Sequence, residues 1–209
     1  MNAENVKKLI LSHVPPSACE YCFKLWVDTP FHLKITKSRQ TKVGDFTCKS
    51  NAKNPRITLN HDLNPYLFLT TYIHEVAHLR VFLHYGNRVD PHGEEWKHVF
   101  QHLLQPMLIQ ESVFPEEILH ELRRHMINPK ASSFSDSLLT QVFRRYDSNN
   151  AHQTIVGDLP QGSIFKLNGK YFQKGALKRT RVLCKEVQSK KLYLVPADAV
   201  ATDIQLSLL

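Results

Sequence analysis

A chain of 209 residues with 42% apolar and 22% charged side chains can bury a sizeable core, which excludes a disordered or fibrous protein. No apolar run approaches the ~20 residues that span a bilayer. The N-terminus is broken by Glu4, Lys7 and Lys8 and lacks a secretory apolar stretch, so a cytoplasmic protein with no membrane association is expected. The net charge of +8 is unevenly spread: residues 161–209 hold nine Lys/Arg against three acids. That asymmetry points to an anionic partner, nucleic acid first, with a merely solubilising lysine surface as the plainer reading.

In chain order, Val6–His13 predicts a short amphipathic helix stopped by Pro15-Pro16, and Ser17 can cap a second helix through about Asp28. Phe31, Leu33 and Ile35 alternate with polar residues as in a half-buried strand, Gly44-Asp45 reads as a turn or bulge, and a strand follows over Arg56–Asn60. Together these predict a small antiparallel sheet. Asn64 as N-cap, Pro65 at the first helical position and a stop at Gly86 mark a long, largely covered central helix. Asp90-Pro91-His92-Gly93 forms a turn into a helix from Glu94 to about Leu104, limited by Pro106. Further helices are expected from Pro115 to about Met126 and from Asp136 to Tyr146.

After a linker over 148–160 the periodicity changes to short strands, with Asn168-Gly169 as a hairpin turn. The predicted organisation is α+β: a domain over 1–147 with its sheet packed on the central helix, then an all-β, SH3-like module over 161–209. Of the four cysteines only Cys19 and Cys22 have metal-like spacing, and no second pair completes a zinc site, so reduced, packed thiols are expected.

The chemistry lies on the central helix, in His74-Glu75-Val76-Ala77-His78. At 100° per residue, positions four apart lie about 40° from one another around the axis and ~6 Å apart along it. Two imidazoles so placed can share one Zn2+, while Glu75, turned aside, can reach a water without ligating and act as general base. A catalytic zinc needs a third protein ligand and an open position, and His92, past the helix stop, is the best candidate. A chain of this composition would contain His-Glu-x-x-His by chance only about 0.03 times. His98 and His102 share the four-residue spacing without the glutamate and read as a solvated face. His84 suits a helix C-terminus, and Glu94 and Glu95 suit an N-terminus or could orient a ligand imidazole. Tyr72, Tyr85 and Arg80 are near in sequence, but none is marked as an oxyanion donor.

The chain resembles the SprT-like metallopeptidases, which include the bacterial SprT proteins and the eukaryotic protease Spartan. The resemblance rests on Ser38-Arg39-Gln40-Thr41-Lys42-Val43-Gly44, Ile57-Thr58-Leu59-Asn60, the His74–His78 motif and Pro91-His92-Gly93-Glu94-Glu95-Trp96. It implies a compact zincin-like fold, zinc on His74, His78 and His92, Glu75 as base, and a link to DNA-associated protein substrates. The chain departs from bacterial SprT proteins in lacking a C-terminal four-cysteine ribbon; a basic β-module stands in its place.

Two surfaces could bind partners. The basic stretch from Lys34 to Arg56 could align a polypeptide along an edge strand, contact phosphates, or simply protect that edge. In the C-terminal module, Lys174, Lys178, Arg179 and Arg181, interleaved with Phe165, Tyr171, Phe172 and Tyr193, suit single-stranded nucleic acid, although the same alternation describes any half-buried strand. The leading expectation is therefore a zinc metallopeptidase. The alternatives are a non-enzymatic nucleic-acid-binding protein with a structural metal, and another zinc hydrolase such as an amidase.

Overall fold

The computed structural model describes residues 2–39, 42–48, 54–130, 136–147 and 154–205. The chain divides into two compact units, Met1–Asp147 and Ser148–Leu209, and the described residues form six α-helices and two sheets, a mixed α+β protein.

The first unit begins with α1 (Ala3–Leu11), capped by the Asn2 side chain on the Asn5 N–H, and α2 (Cys19–Asp28). Ser17 does not cap α2; a single 3-10 turn over Pro16–Ala18 leads into it, and the Ser17 hydroxyl donates to the Ser112 carbonyl instead. Three strands follow: β1 (His32–Thr36), β2 (Gly44–Thr47) and β3 (Arg56–Asn60). Their order is β1-β3-β2, with β2 antiparallel and β1 parallel to β3. The expected all-antiparallel sheet is thus a mixed one. β3 is buried on both faces, with Ile57 and Leu59 fully buried on the apolar one and Thr58 and Asn60 nearly so on the polar one, and takes the central place. The two chain reversals that separate β1 from β3 then leave them running the same way. Gly44-Asp45 is not a turn but the start of edge strand β2.

The long helix α3 (Pro65–Tyr85) runs between the predicted signals. The Asn64 side chain accepts from the Tyr66 and Leu67 N–H groups, and Gly86 at φ +63° ends the helix. Buried residues surround it, and it packs against β2, β3 and α4 (Glu94–Ile109). α4 continues through Pro106, which was expected to end it; Pro106 is exposed, and the apolar face carrying Leu103, Leu104, Met107 and Leu108 stays buried on both sides of it. Tertiary burial there outweighs the lost backbone bond. α5 (Glu116–His125) and α6 (Ser137–Arg144), capped by Asp136, complete the unit.

The second unit is a five-stranded antiparallel sheet: β4 (Ile164–Leu167), β5 (Lys170–Lys178), β6 (Arg181–Glu186), β7 (Leu192–Pro196) and β8 (Thr202–Gln205), in the order β7-β6-β5-β4-β8. Asn168 and Gly169 both have positive φ, +49° and +80°, as a type I′ hairpin requires. The described part of the expected linker belongs to this unit. Ile155 bridges to Val200, and Val156 and Leu159 are buried with Phe165, Phe172, Val182 and Val195. No helix among the described residues is long and apolar enough to cross a membrane.

Candidate metal centre

α3 projects His74 and His78 from one face, and the turn after Gly86 returns His92 to them. The Nε2 atoms of His74 and of His92 each stand 3.1 Å from that of His78, and the three ligand atoms lie within 4.8 Å of one another. Donors held at ~2.0–2.1 Å around a tetrahedral ion stand about 3.3 Å apart, close to the two 3.1 Å separations about His78. Burial pushes all three imidazoles toward the neutral form: His74 falls well below its ordinary pKa and His78 falls to about 4, each helped by neighbouring rings, while burial alone lowers His92. Neutral imidazoles are the state that ligates. In the ligating tautomer each Nε2 is an acceptor, and a cation in the gap would satisfy all three at once. The donor set therefore fits a metal ion, and His74, His78 and His92 could hold one.

One side chain supports all three rings. The indole of Trp96, fully buried on α4, has centroids 4.6, 5.4 and 4.8 Å from His74, His78 and His92, and Phe100 stacks behind it at 5.0 Å. Trp96 entered the sequence reading only as part of the family motif; its position four residues after His92 could have marked it as a wall of the site.

Glu75 is 94% buried, its exposure being 6%, and burial drives its carboxyl up to about 8, with Asp45 adding to the rise and the Phe46 N–H, Arg39 and Lys42 opposing it. The Phe46 N–H belongs to β2, so that strand supplies one hydrogen bond to the carboxylate. Gly44, on the same strand, makes the approach possible. A Cβ there would stand 2.5 Å from Glu75 Oε1 and 2.6 Å from Thr71 Cγ2. Helix α3 and edge strand β2 meet at a position where only glycine fits, a role that sequence reasoning missed.

A cleft of about 940 Å³ opens beside these residues, lined by β2, by the face of α3 carrying Thr71, Glu75, His78 and Phe82, and by the turn from Gly86 to His92. It reaches His74, His78 and His92 together. Asp45 pairs with Lys42 at 2.8 Å on its wall.

Other expected participants lie elsewhere. The Arg39 guanidinium is spent on Asn60 Oδ1 and Thr58 Oγ1, at 2.8 and 3.0 Å, which ties the chain before β2 to β3. Lys49 and Lys53 lie outside the described residues. The Tyr72 hydroxyl donates to the Cys22 carbonyl, and Arg80 faces Asp28. His84, His98 and His102 are exposed, and the four cysteines are free thiols, three of them buried. In the second unit Lys178, Arg179 and Arg181 are exposed, but Lys174 is not available to a phosphate. It is buried, and its ammonium donates to the Gly157 carbonyl at 2.6 Å and to the Leu159 carbonyl.

Three convergent imidazoles on a helix and its following turn, facing an open cleft beside a buried glutamate, make a site that could hold a metal ion and leave it accessible to a ligand. Residues 20–122, which contain all of these groups, match the model of the SprT-like family, so the chain carries a SprT-like domain. Comparison with curated proteins and with solved structures gives no match.

Proposed function

We propose that the protein is a zinc-dependent metallopeptidase whose SprT-like domain has a zincin-like architecture. The observation that carries this reading is the convergence of three imidazoles at one edge of an open cleft, with Glu75 beside them. An all-nitrogen triad suits zinc, and three protein ligands with free space alongside suit a catalytic rather than a structural ion. Zinc bound there would activate water and polarise the scissile carbonyl.

The chain's own residues divide the remaining work. His74, His78 and His92 bind; Trp96 fixes their rings; the Phe46 N–H orients Glu75. Burial alone would leave Glu75 protonated at neutral pH; the charge of zinc held by the three imidazoles would favour its ionised form, and the carboxylate then takes the proton of the attacking water and passes it to the leaving amine. Edge strand β2 offers a substrate main chain an edge that is unpaired among the described residues and runs along the cleft, which favours an extended polypeptide over a compact amide. For the second unit, the strand order β7-β6-β5-β4-β8 and the register shift within the long strand β5 support an SH3-like barrel. The basic hairpin tip Lys178-Arg179-Thr180-Arg181 is the remaining candidate contact for DNA near a substrate protein.

The test is metal content and cleavage of an unfolded protein by the wild type and by Glu75→Gln. Stoichiometric zinc in both, with cleavage in the wild type alone, is the expected result. Equal cleavage by Glu75→Gln removes the assigned base, and zinc binding that survives loss of His92 removes the assigned ligand set.

A further inference from the structure

The open edge of the second unit has a chemistry that the metal centre does not use. In the β6–β7 ladder, Ala197 N–H bonds the Thr180 carbonyl at one end and Glu186 N–H bonds the Lys191 carbonyl at the other. The alternation of an antiparallel ladder then turns the N–H and C=O groups of Leu192 and Leu194 away from β6, toward the edge where β7 has no neighbour among the described residues. The side chains of these two leucines are 64% and 51% exposed. Register places Leu194 opposite Leu183, Leu192 opposite Lys185 and Pro196 opposite Arg181, so all six share the outer face of the sheet.

The surroundings of this edge are basic. Lys190 and Lys191 precede it; Arg181 lies at its far end, with a guanidinium nitrogen 3.3 Å from the Leu194 carbonyl. The only acid in β5, β6 and β7 is Glu186, which is buried and already bonded to Lys170 and Ser189. A second copy of the chain would bring like charges together here and is disfavoured. Nucleic acid is the weaker fit as well. Tyr171 and Tyr193, the stacking candidates, lie under Lys166 and Lys170, and those lysines pair with Asp203 and Glu186. Exposed leucines offer bases no stacking partner.

We propose that the β7 edge is a docking site for an extended acidic peptide segment of a protein partner. Such a segment adds a strand beside Leu192 and Leu194. It lays two apolar side chains, spaced i and i+2, on the leucine face, and places carboxylates at its ends against Lys190–Lys191 and Arg181. The site is independent of the metal reading.

The full-length protein is titrated against a fluorescent peptide, Asp-Glu-Leu-Thr-Leu-Glu-Asp, with a control of the same composition in which the leucines are adjacent. Saturable binding of the first and not the second is expected, weakening with salt. Leu194→Asp lowers affinity at least about tenfold, Arg181→Glu lowers it and flattens the salt dependence, and Ile127→Asp, at an exposed position of the other unit, leaves it unchanged. Amide exchange at Leu192 and Leu194 slows in the complex. Absence of binding, equal binding of the control peptide, or Leu194→Asp weakening only a single-stranded oligonucleotide or only self-association would overturn the proposal.

Discussion

Glycine at position 44 is as much a part of the candidate centre as the groups that carry charge. Its missing Cβ lets β2 approach Thr71 and the Glu75 carboxylate, so Gly44→Ala must displace either the strand or the acid. Cleavage should fall at least about tenfold, a loss typical of a misplaced catalytic group, while zinc content, measured by elemental analysis, stays at the wild-type level. A second residue-scale effect concerns His125, which is 4% exposed on α5. Burial lowers its pKa below 6.5, and Arg124 and Lys130 act in the same direction; Asp136 opposes them, but its Oδ2 is 3.5 Å from Nδ1, too far for a good hydrogen bond. The unfolded chain therefore binds more protons than the folded one below about pH 6.5, so stability is complete above that pH and is lost as pH falls through it. Thermal unfolding of the metal-free protein, in which the buried His74, His78 and His92 act with the same sign, should move to lower temperature between pH 7 and pH 5, and His125→Leu should reduce that slope by its own share. An unchanged slope in the variant would place the proton uptake elsewhere.

Helix α3 shows which elements were legible in the sequence. Its cap, first-turn proline, glycine stop and histidine spacing are all local signals, and each appears where it was read. The convergence of His92 was also legible, because a stop at Gly86 leaves few ways for a turn to run except back along the helix. The sheet was less legible. Which strand sits in the middle depends on long-range pairing, and alternation within Phe31–Ile35 carries no information about a parallel neighbour at β3. β2 was hidden by its glycine, whose value lies in a contact with a helix twenty-seven or more positions later in the chain. Pro106 misled because intrinsic propensity was weighed without the burial on either side of it. The α3 cap also has a long-range role: Asn64 Nδ2 donates to the Phe143 carbonyl at 2.9 Å and to Asp147 at 2.6 Å, joining the start of α3 to the end of α6. Asn64→Ala should therefore cost about 2 kcal/mol, the upper range for a helix cap, measured by denaturant unfolding. Asn64→Asp, which keeps the acceptor but brings a carboxylate against Asp147, should not restore the loss.

Across the whole molecule, the metal donors all belong to the first unit and the basic excess to the second. A fragment ending at Asp147 should bind zinc with the stoichiometry of the full chain, checked by calorimetry; failure to do so would mean that the second unit completes the centre. The charge count identified the basic module but could not assign its individual lysines. Lys174 is the instructive case. It follows Phe172 by two residues and so points to the same inner face, a signal that strand alternation already contained but that lost out to a reading based on composition. The segment from Ile155 to Leu159 was read as linker from its polar neighbours, although Val156 and Leu159 supply two inward apolar anchors.

The three imidazoles and the indole behind them all fall between His74 and Trp96. During synthesis, a nascent chain that has emerged only a little beyond α4 already holds all three imidazoles of the candidate centre, before residues 148–209 have left the ribosome. On the proposed metal reading, loading can thus accompany folding from its early stages, the turn at His92 being drawn onto the preceding helix as the ion binds.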